Sequence, residues 1–344
     1  MNKYLIVRTS AIGDVVHTLP VLSLLRKFDP GCEIHWVVKP QPAKLLSDNP
    51  LLSKIFILKK NYFSLIRQLR KFRYKAVFDF QGLYRSAFLT RAVRAENYVG
   101  FSKSEIREKG AQFFYSRRIT PDAHNSHVIF RGISVVCQYF NEDSKTFSES
   151  DSWQFEIPTD FVAEHFILKK LKDFENKKIV VLNPGAGWGN KQLAPSHFGQ
   201  LADILHEKFK DSAFIVSIAP GEEEIGKQVV ESAQNADISL FNIDLLQLTE
   251  LIRKADLFIA GDTGPMQISA ALGTPTLAIF GPTNPLRNGP FSKADMSCIA
   301  INKELDCLNC HKRKCPKYEA FPPPCMLIEP EKIADLALKR LNYI

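Results

Sequence analysis

Tyr4-Leu-Ile-Val7, followed by Thr9-Ser-Ala-Ile-Gly-Asp14, sets the fold class. Four apolar residues make a short buried strand, and Gly13 and Asp14 mark a tight turn that opens a helix. Behind the turn, Val16, Leu19, Leu22 and Leu25 recur every three residues. That spacing predicts one helix over 15–28, ended by Asp29-Pro30-Gly31. The same alternation continues, with strands expected over 34–38 and 55–58, a basic amphipathic helix over 62–71 and a strand over 76–80. Strands alternating with helices of this length argue for βαβ units on a parallel sheet.

The pattern is then used a second time. Residues 141–160 are polar and rich in Ser, Asp and Glu, which reads as a linker, and a helix is expected over 161–172. Strands follow over 179–182, 213–218, 257–260 and 276–280, with helices over 196–209, 222–233, 248–253 and 265–272 between and after them. The expected fold is α/β, two Rossmann-like domains facing a cleft, with ligands at the C-terminal ends of the strands. The domains are expected at 1–155 and 177–328, joined by a linker and connecting helix over 156–176. A final helix within 329–344 is expected to cross back to the first domain.

Composition agrees with two globular domains. The chain has 344 residues, enough for two separate cores, and its 17 Gly and 20 Pro exclude collagen-like and disordered classes. No apolar run approaches the ~18 residues that span a bilayer, and the first residues have no signal-peptide pattern, so a cytoplasmic protein is expected. Charge is uneven. Residues 1–150 hold 24 Lys/Arg against 12 Asp/Glu, a net of +12, whereas residues 151–344 hold 21 against 25, a net of −4. Such asymmetry points to an anionic partner on the first half, or to a basic face that serves only solubility. Nucleic acid is disfavoured, because no zinc-finger, RRM or KH signature accompanies the basic residues.

Three strand-to-helix turns can carry chemistry. Asp14, at the first, can cap its helix or act as a base. The second, Asn183-Pro-Gly-Ala-Gly-Trp-Gly-Asn-Lys191, is rich in glycine yet matches neither the Walker A pattern nor the dinucleotide fingerprint. Its amides and Lys191 can hold a diphosphate, or it is a plain turn beside a solvated lysine. At the third, Gly261-Asp262-Thr263-Gly264-Pro265, small residues let a phosphate approach a helix N-terminus, or Asp262 or Thr263 simply caps that helix. Together they favour a nucleotide-diphosphate site in the second domain and a base in the first.

Seven cysteines are present, four of them as C-x2-C-x4-C-x9-C at Cys307, Cys310, Cys315 and Cys325. In a reducing compartment this cluster holds a structural metal, Zn²⁺ foremost, or stands as packed thiols.

At this point the sequence resembles the lipopolysaccharide heptosyltransferases of glycosyltransferase family 9. The likeness runs nearly end to end, through Val7-Arg-Thr-Ser-Ala-Ile-Gly-Asp-Val-Val-His-Thr-Leu-Pro20, Asp79-Phe-Gln-Gly-Leu-Tyr-Arg-Ser86, the loop bearing Lys191, and Gly261-Asp-Thr-Gly-Pro-Met-Gln-Ile-Ser-Ala-Ala-Leu-Gly273 with Phe280-Gly-Pro-Thr283. The resemblance implies a GT-B architecture and inverting transfer of heptose from ADP-heptose to Kdo-lipid A or a heptosylated inner core, with no cofactor required for catalysis. By the same likeness Asp14 is the base, and Lys191, Glu222, Asp262, Thr263, Gly264 and Gln267 bind the donor. On the basic first half, Arg85, Arg117, Arg118, His127 and Arg131 are candidates to contact an anionic acceptor, or each makes a surface salt bridge. It also implies a peripheral enzyme at the anionic cytoplasmic face of the inner membrane. The chain departs from the family at Gln267, where His is common, at Leu193, where Trp is usual, and at Ala11, where some members carry a hydroxyl. A UDP- or GDP-sugar transferase, an NAD-dependent oxidoreductase and a non-catalytic glycolipid binder are the competing classes.

Overall fold

A computed structural model describes the chain except residues 123–126, 149–152, 292–296, 303–304, 306, 320 and 342–344. It divides into two units, Met1–Pro158 and Thr159–Ile344. In the first, β1 (Lys3–Val7) is followed by α1 (Ile12–Thr18), α2 (Pro20–Phe28), β2 (Glu33–Val38), α3 (Pro40–Ala43), β3 (Lys54–Ile57) and α4 (Tyr62–Leu69). Then come β4 (Tyr74–Asp79), α5 (Tyr84–Ala92), β5 (Ala95–Phe101), β6 (Arg117–Ile119), α6 (Val128–Tyr139) and α7 (Ser144–Ser148). The strands form one parallel sheet in the order β3-β2-β1-β4-β5-β6, and Val7 pairs with Val37 on one side and Asp79 on the other. Leu65, Ile66 and Leu69 of α4 and Leu89 of α5 share a core with Leu5, Val7, Val37 and Val77 of the sheet. α6 packs on α1 and α2.

The single helix expected over 15–28 is two helices. The chain breaks after Thr18, and Pro20 stands in the first turn of α2. Proline has no N–H to continue α1, while its fixed φ suits a helix start.

The second unit runs α8 (Phe161–Leu171), β7 (Lys178–Asn183), α9 (Pro195–Lys208), β8 (Ser212–Ile218), α10 (Glu223–Ser232), β9 (Ile238–Asn242) and α11 (Leu245–Lys254). It continues with β10 (Leu257–Gly261), α12 (Gly264–Leu272), β11 (Thr276–Phe280), α13 (Pro285–Asn288), β12 (Ser297–Ile301) and α14 (Pro330–Leu341). Its parallel sheet has the order β12-β11-β10-β7-β8-β9, which repeats the first unit's order strand for strand. That order is the Rossmann one.

Two expectations are corrected. The segment read as a linker, of which 149–152 lie outside the described residues, packs into the first unit. Trp153 is 1% exposed, its indole N–H donates to Phe147 O at 2.6 Å, and Asn49 Nδ2 donates to Glu156 O at 2.7 Å. The unit boundary falls at Pro158, and α8 beyond it packs on α11. The final helix stays with its own unit. Ile333, Ala334, Ala337 and Leu341 make one apolar stripe on α14 that joins the core around Leu201 and Leu205 of α9.

The strand order also fixes where ligands go. It reverses between β1 and β4 in the first sheet and between β7 and β10 in the second. Loops leaving the carboxyl ends of those strands diverge, which opens a crevice at each switch point. All three turns read from the sequence, and the Asp79-Phe80-Gln81-Gly82 segment, lie at these two places.

Candidate active site

At the first switch point Asp14 sits in the first turn of α1, with its side chain 38% exposed. One carboxylate oxygen accepts the Ala11 N–H at 2.9 Å, and the other meets Arg8 Nη2 at 2.5 Å. Asp14 therefore caps its helix and still presents a carboxylate to solvent. The loop that carries it is splinted from β4. Arg8 donates through Nη1 to Phe80 O, and Gln81 Oε1 accepts from Thr9 N at 3.1 Å, Thr9 Oγ1 at 3.2 Å and Ser10 N at 3.4 Å. Gln81 is itself fixed, because Asp79 Oδ1 accepts its N–H at 2.8 Å and that of Gly82 at 3.1 Å. The Tyr115 hydroxyl donates to Asp79 Oδ2 at 2.8 Å. Burial pushes the Asp79 carboxyl above the usual carboxylate range, and these hydrogen bonds oppose that rise.

At the second switch point the loop after β7 closes onto the loop after β10. Lys191 Nζ donates to Asp262 Oδ2 at 2.5 Å and to Asp262 O at 3.2 Å, and it lies 4.9 Å from the Trp188 ring centre. A Cβ on Gly261 would stand 2.9 Å from Lys191 O, so only glycine lets the two backbones approach this closely. Thr263 caps α12 by accepting the Met266 N–H at 3.4 Å. The Gly264 N–H, first in that helix, has no intrahelical partner, and Pro265 brings none. The Glu222 carboxylate accepts the Ala219 N–H at 3.0 Å and lies against Gly185, where a Cβ would stand 2.6 Å from Glu222 Oε1. Lys191, Asp262, Thr263 and Gly264 thus come together, with Glu222 against the start of the same glycine loop. Gln267 is 4% exposed and donates through Nε2 to Asn288 O at 2.6 Å, so it ties α12 to α13.

The acceptor candidates fall into two groups. Arg117 and Arg118 are neighbours on β6 and point to opposite faces of the sheet. Arg117 lies over the Tyr139 ring on α6, and Arg118 over Phe113. With Arg118 goes Arg85, exposed on α5. With Arg117 go His127, which caps α6 and stands 5.9 Å from the His17 ring on α1, and Arg131, paired with Glu105 at 3.2 Å. His127 therefore lies next to α1, the helix that bears both His17 and Asp14. Sequence reasoning missed Arg8, Gln81 and His17. All three stand inside the quoted segments, and a charged or amide side chain beside a strand-end turn was the signal for the first two.

Cys307, Cys310, Cys315 and Cys325 line one small cavity together with Asn190 and Pro282. The Cys325 thiol is pushed up to about 11, by burial first and then by the neighbouring cysteines. Among the described residues no group of three or more His, Cys, Asp or Glu stands as a ready metal site.

Residues 62–319 match the family model for glycosyltransferase family 9 (heptosyltransferase). The chain is 29% identical over 303 residues to lipopolysaccharide heptosyltransferase 1 of Campylobacter coli, covering 83% of this chain and 86% of that protein. It is 29% identical over 324 residues to lipopolysaccharide heptosyltransferase 1 of Escherichia coli K12, covering 89% and 96%. The solved structure of the E. coli heptosyltransferase WaaC with ADP has the same fold, with a TM-score of 0.76 at 23% identity over 98% of this chain and 99% of that one. Two parallel-sheet units with Rossmann strand order, and a family match over most of the length, make the chain a member of glycosyltransferase family 9, an enzyme of GT-B architecture.

Proposed function

We propose that the protein transfers heptose from ADP-heptose to the inner core of lipopolysaccharide, with inversion at the transferred carbon and no metal ion in the chemistry. The acceptor is Kdo-lipid A or a core that already carries one heptose. One observation carries the reading: two strand-end sites of opposite character, an accessible carboxylate at Asp14 and a lysine beside a helix N-terminus at Lys191 and Gly264. The named relatives support heptose as the sugar, and a neighbour solved with ADP supports the nucleotide.

In this mechanism Asp14 takes the proton of the acceptor hydroxyl as its oxygen attacks the anomeric carbon. The bond from that carbon to the diphosphate oxygen breaks on the opposite face. Lys191 Nζ and the Gly264 N–H neutralise the charge that grows on the departing ADP, the role a divalent cation fills elsewhere. Lys191 leaves Asp262 for the phosphate, and Asp262, Thr263 and Gln267 shape the turn that receives it. Glu222, beside the glycine loop, accepts hydrogen bonds from the ribose hydroxyls. Arg85, Arg117, Arg118, His127 and Arg131 meet the acceptor's carboxylates and phosphates. The enzyme works as a peripheral protein at the cytoplasmic face of the inner membrane, and among the described residues no helix is long and apolar enough to cross it. A structural Zn²⁺ on Cys307, Cys310, Cys315 and Cys325 is part of the proposal, supported by the shared cavity. About one zinc per purified chain supports it, and a metal-free chain overturns it.

The test is incubation with ADP-heptose and Kdo-lipid A, or a heptosylated core, with mass spectrometry for one added heptose. Addition by the wild type, together with loss of addition and retained ADP binding in Asp14→Asn, is the expected result. Equal activity in the variant removes Asp14 as base. ADP binding without addition on either acceptor overturns the sugar or acceptor, and no ADP binding overturns the donor.

A further inference from the structure

One face of the first unit is aromatic and strongly basic, with the half-buried Glu108, whose carboxylate accepts the Tyr84 N–H at the start of α5, as a neighbouring acid. α4 and α5 bury Leu65, Ile66, Leu69 and Leu89 against the sheet, so their other sides point away from it. Those sides carry Phe63, 82% exposed, and Tyr84 and Phe88, 51% and 50% exposed and one helical turn apart. Phe113, 74% exposed, stands on the turn Lys109–Phe114 that packs against α5. Residues 59–73 and 84–94 hold nine Lys/Arg, all exposed, and no Asp or Glu. Among the described residues none of the nine ion-pairs with a carboxylate. A surface built for solubility intersperses both charge signs and keeps large aromatics out of solvent. This face exposes four aromatics and sets nine basic residues against the single capping carboxylate of Glu108.

We propose that this face docks on an anionic phospholipid bilayer. Phe63, Tyr84, Phe88 and Phe113 enter the headgroup region, where aromatic rings are favoured, and the lysines and arginines around them meet lipid phosphates. Charge complementarity selects this occupant. A second copy of the chain would set nine positive charges against nine, which opposes self-association through the face. The arrangement deepens the reading of the enzyme as a membrane-peripheral transferase and rests on it for the identity of the membrane. Arg85 and Arg118, on the same side, then stand at the lipid surface, where a glycolipid acceptor presents its charged sugars.

The experiment is co-sedimentation of the full chain with phosphatidylglycerol–phosphatidylcholine vesicles and with pure phosphatidylcholine vesicles, without nucleotide or acceptor. Binding to the first only, weakened by high salt, is expected. Lys59→Gln/Lys60→Gln/Lys71→Gln should weaken it about 100-fold, at about fivefold per charge. Phe63→Ser/Phe88→Ser should weaken it independently, while sedimentation velocity and thermal unfolding stay as in the wild type. Equal binding to both vesicle types, or unchanged binding in both variants, overturns the proposal. So does a wild-type dimer that the serine variant dissociates without altering vesicle binding. Transfer to detergent-solubilised acceptor with no vesicle binding strikes this proposal alone, whereas vesicle binding without transfer strikes the catalytic reading alone.

Discussion

Lys191 Nζ lies 2.5 Å from Asp262 Oδ2, an ion pair between residues 71 positions apart that closes the loop after β7 onto the loop after β10. Both side chains are largely buried, at 14% and 9% exposure. Lys191→Met would leave a buried carboxylate without its counter-charge, a loss of about 3 kcal/mol. Lys191→Met/Asp262→Asn should recover most of that stability in urea unfolding. Neither variant should recover transfer, which should fall about 100-fold or more without the lysine's charge on the leaving diphosphate.

Gln81→Leu removes the acceptor of three hydrogen bonds on Thr9 and Ser10, two residues before the start of α1. The Asp14 loop would lose its register without losing Asp14. Displacement of a reacting group on this scale costs about 10- to 100-fold in kcat. ADP affinity, assigned by the proposal to the second unit, should be unchanged in calorimetry.

Gly185→Ala tests the position of Glu222. The added methyl would stand 2.6 Å from Glu222 Oε1, the far end of a flexible side chain. The carboxylate can swing aside, so the melting temperature should hardly move. If Glu222 holds the ribose as proposed, donor affinity should fall about tenfold. Unaltered affinity would remove Glu222 from the donor site.

His35 makes the first unit sensitive to acid. Its imidazole is buried beside Tyr74 OH at 3.0 Å, and burial holds it at about 4, against the usual 6.5. The folded chain keeps this ring neutral where the unfolded chain takes up a proton. Above pH 6.5 both states are neutral and the group contributes nothing. As pH falls from 6.5 to about 4 the unfolded state gains, by up to about 3 kcal/mol. In His35→Gln, urea unfolding should lose that part of its acid slope.

Much of the fold was legible because apolar periodicity survives in short strands. Leu257-Phe-Ile-Ala260 and Leu277-Ala-Ile-Phe280 are buried on both faces of their sheet, so nothing polar interrupts them. Residues 141–160 misled because Ser, Asp and Glu around Trp153 and Ile157 conceal two side chains that are buried in the fold. The final helix misled in another way, since an apolar stripe such as Ile333, Ala334 and Ala337 reports that a face is covered and not by which partner. At the site, glycine loops and strand-end carboxylates stood out by type. Arg8 and Gln81 did not, because their importance lies in the side-by-side pairing of β1 and β4, which only the sheet order reveals.

With α14 retained by its own unit, the polypeptide passes from one half to the other a single time, at Pro158 and Thr159. A cut in the gene at that one junction therefore severs no secondary-structure element and strands no terminal helix. Each half carries its own complete parallel sheet with its helices and its own switch point. The second half is thereby a separable unit, joined to the first at one splice point.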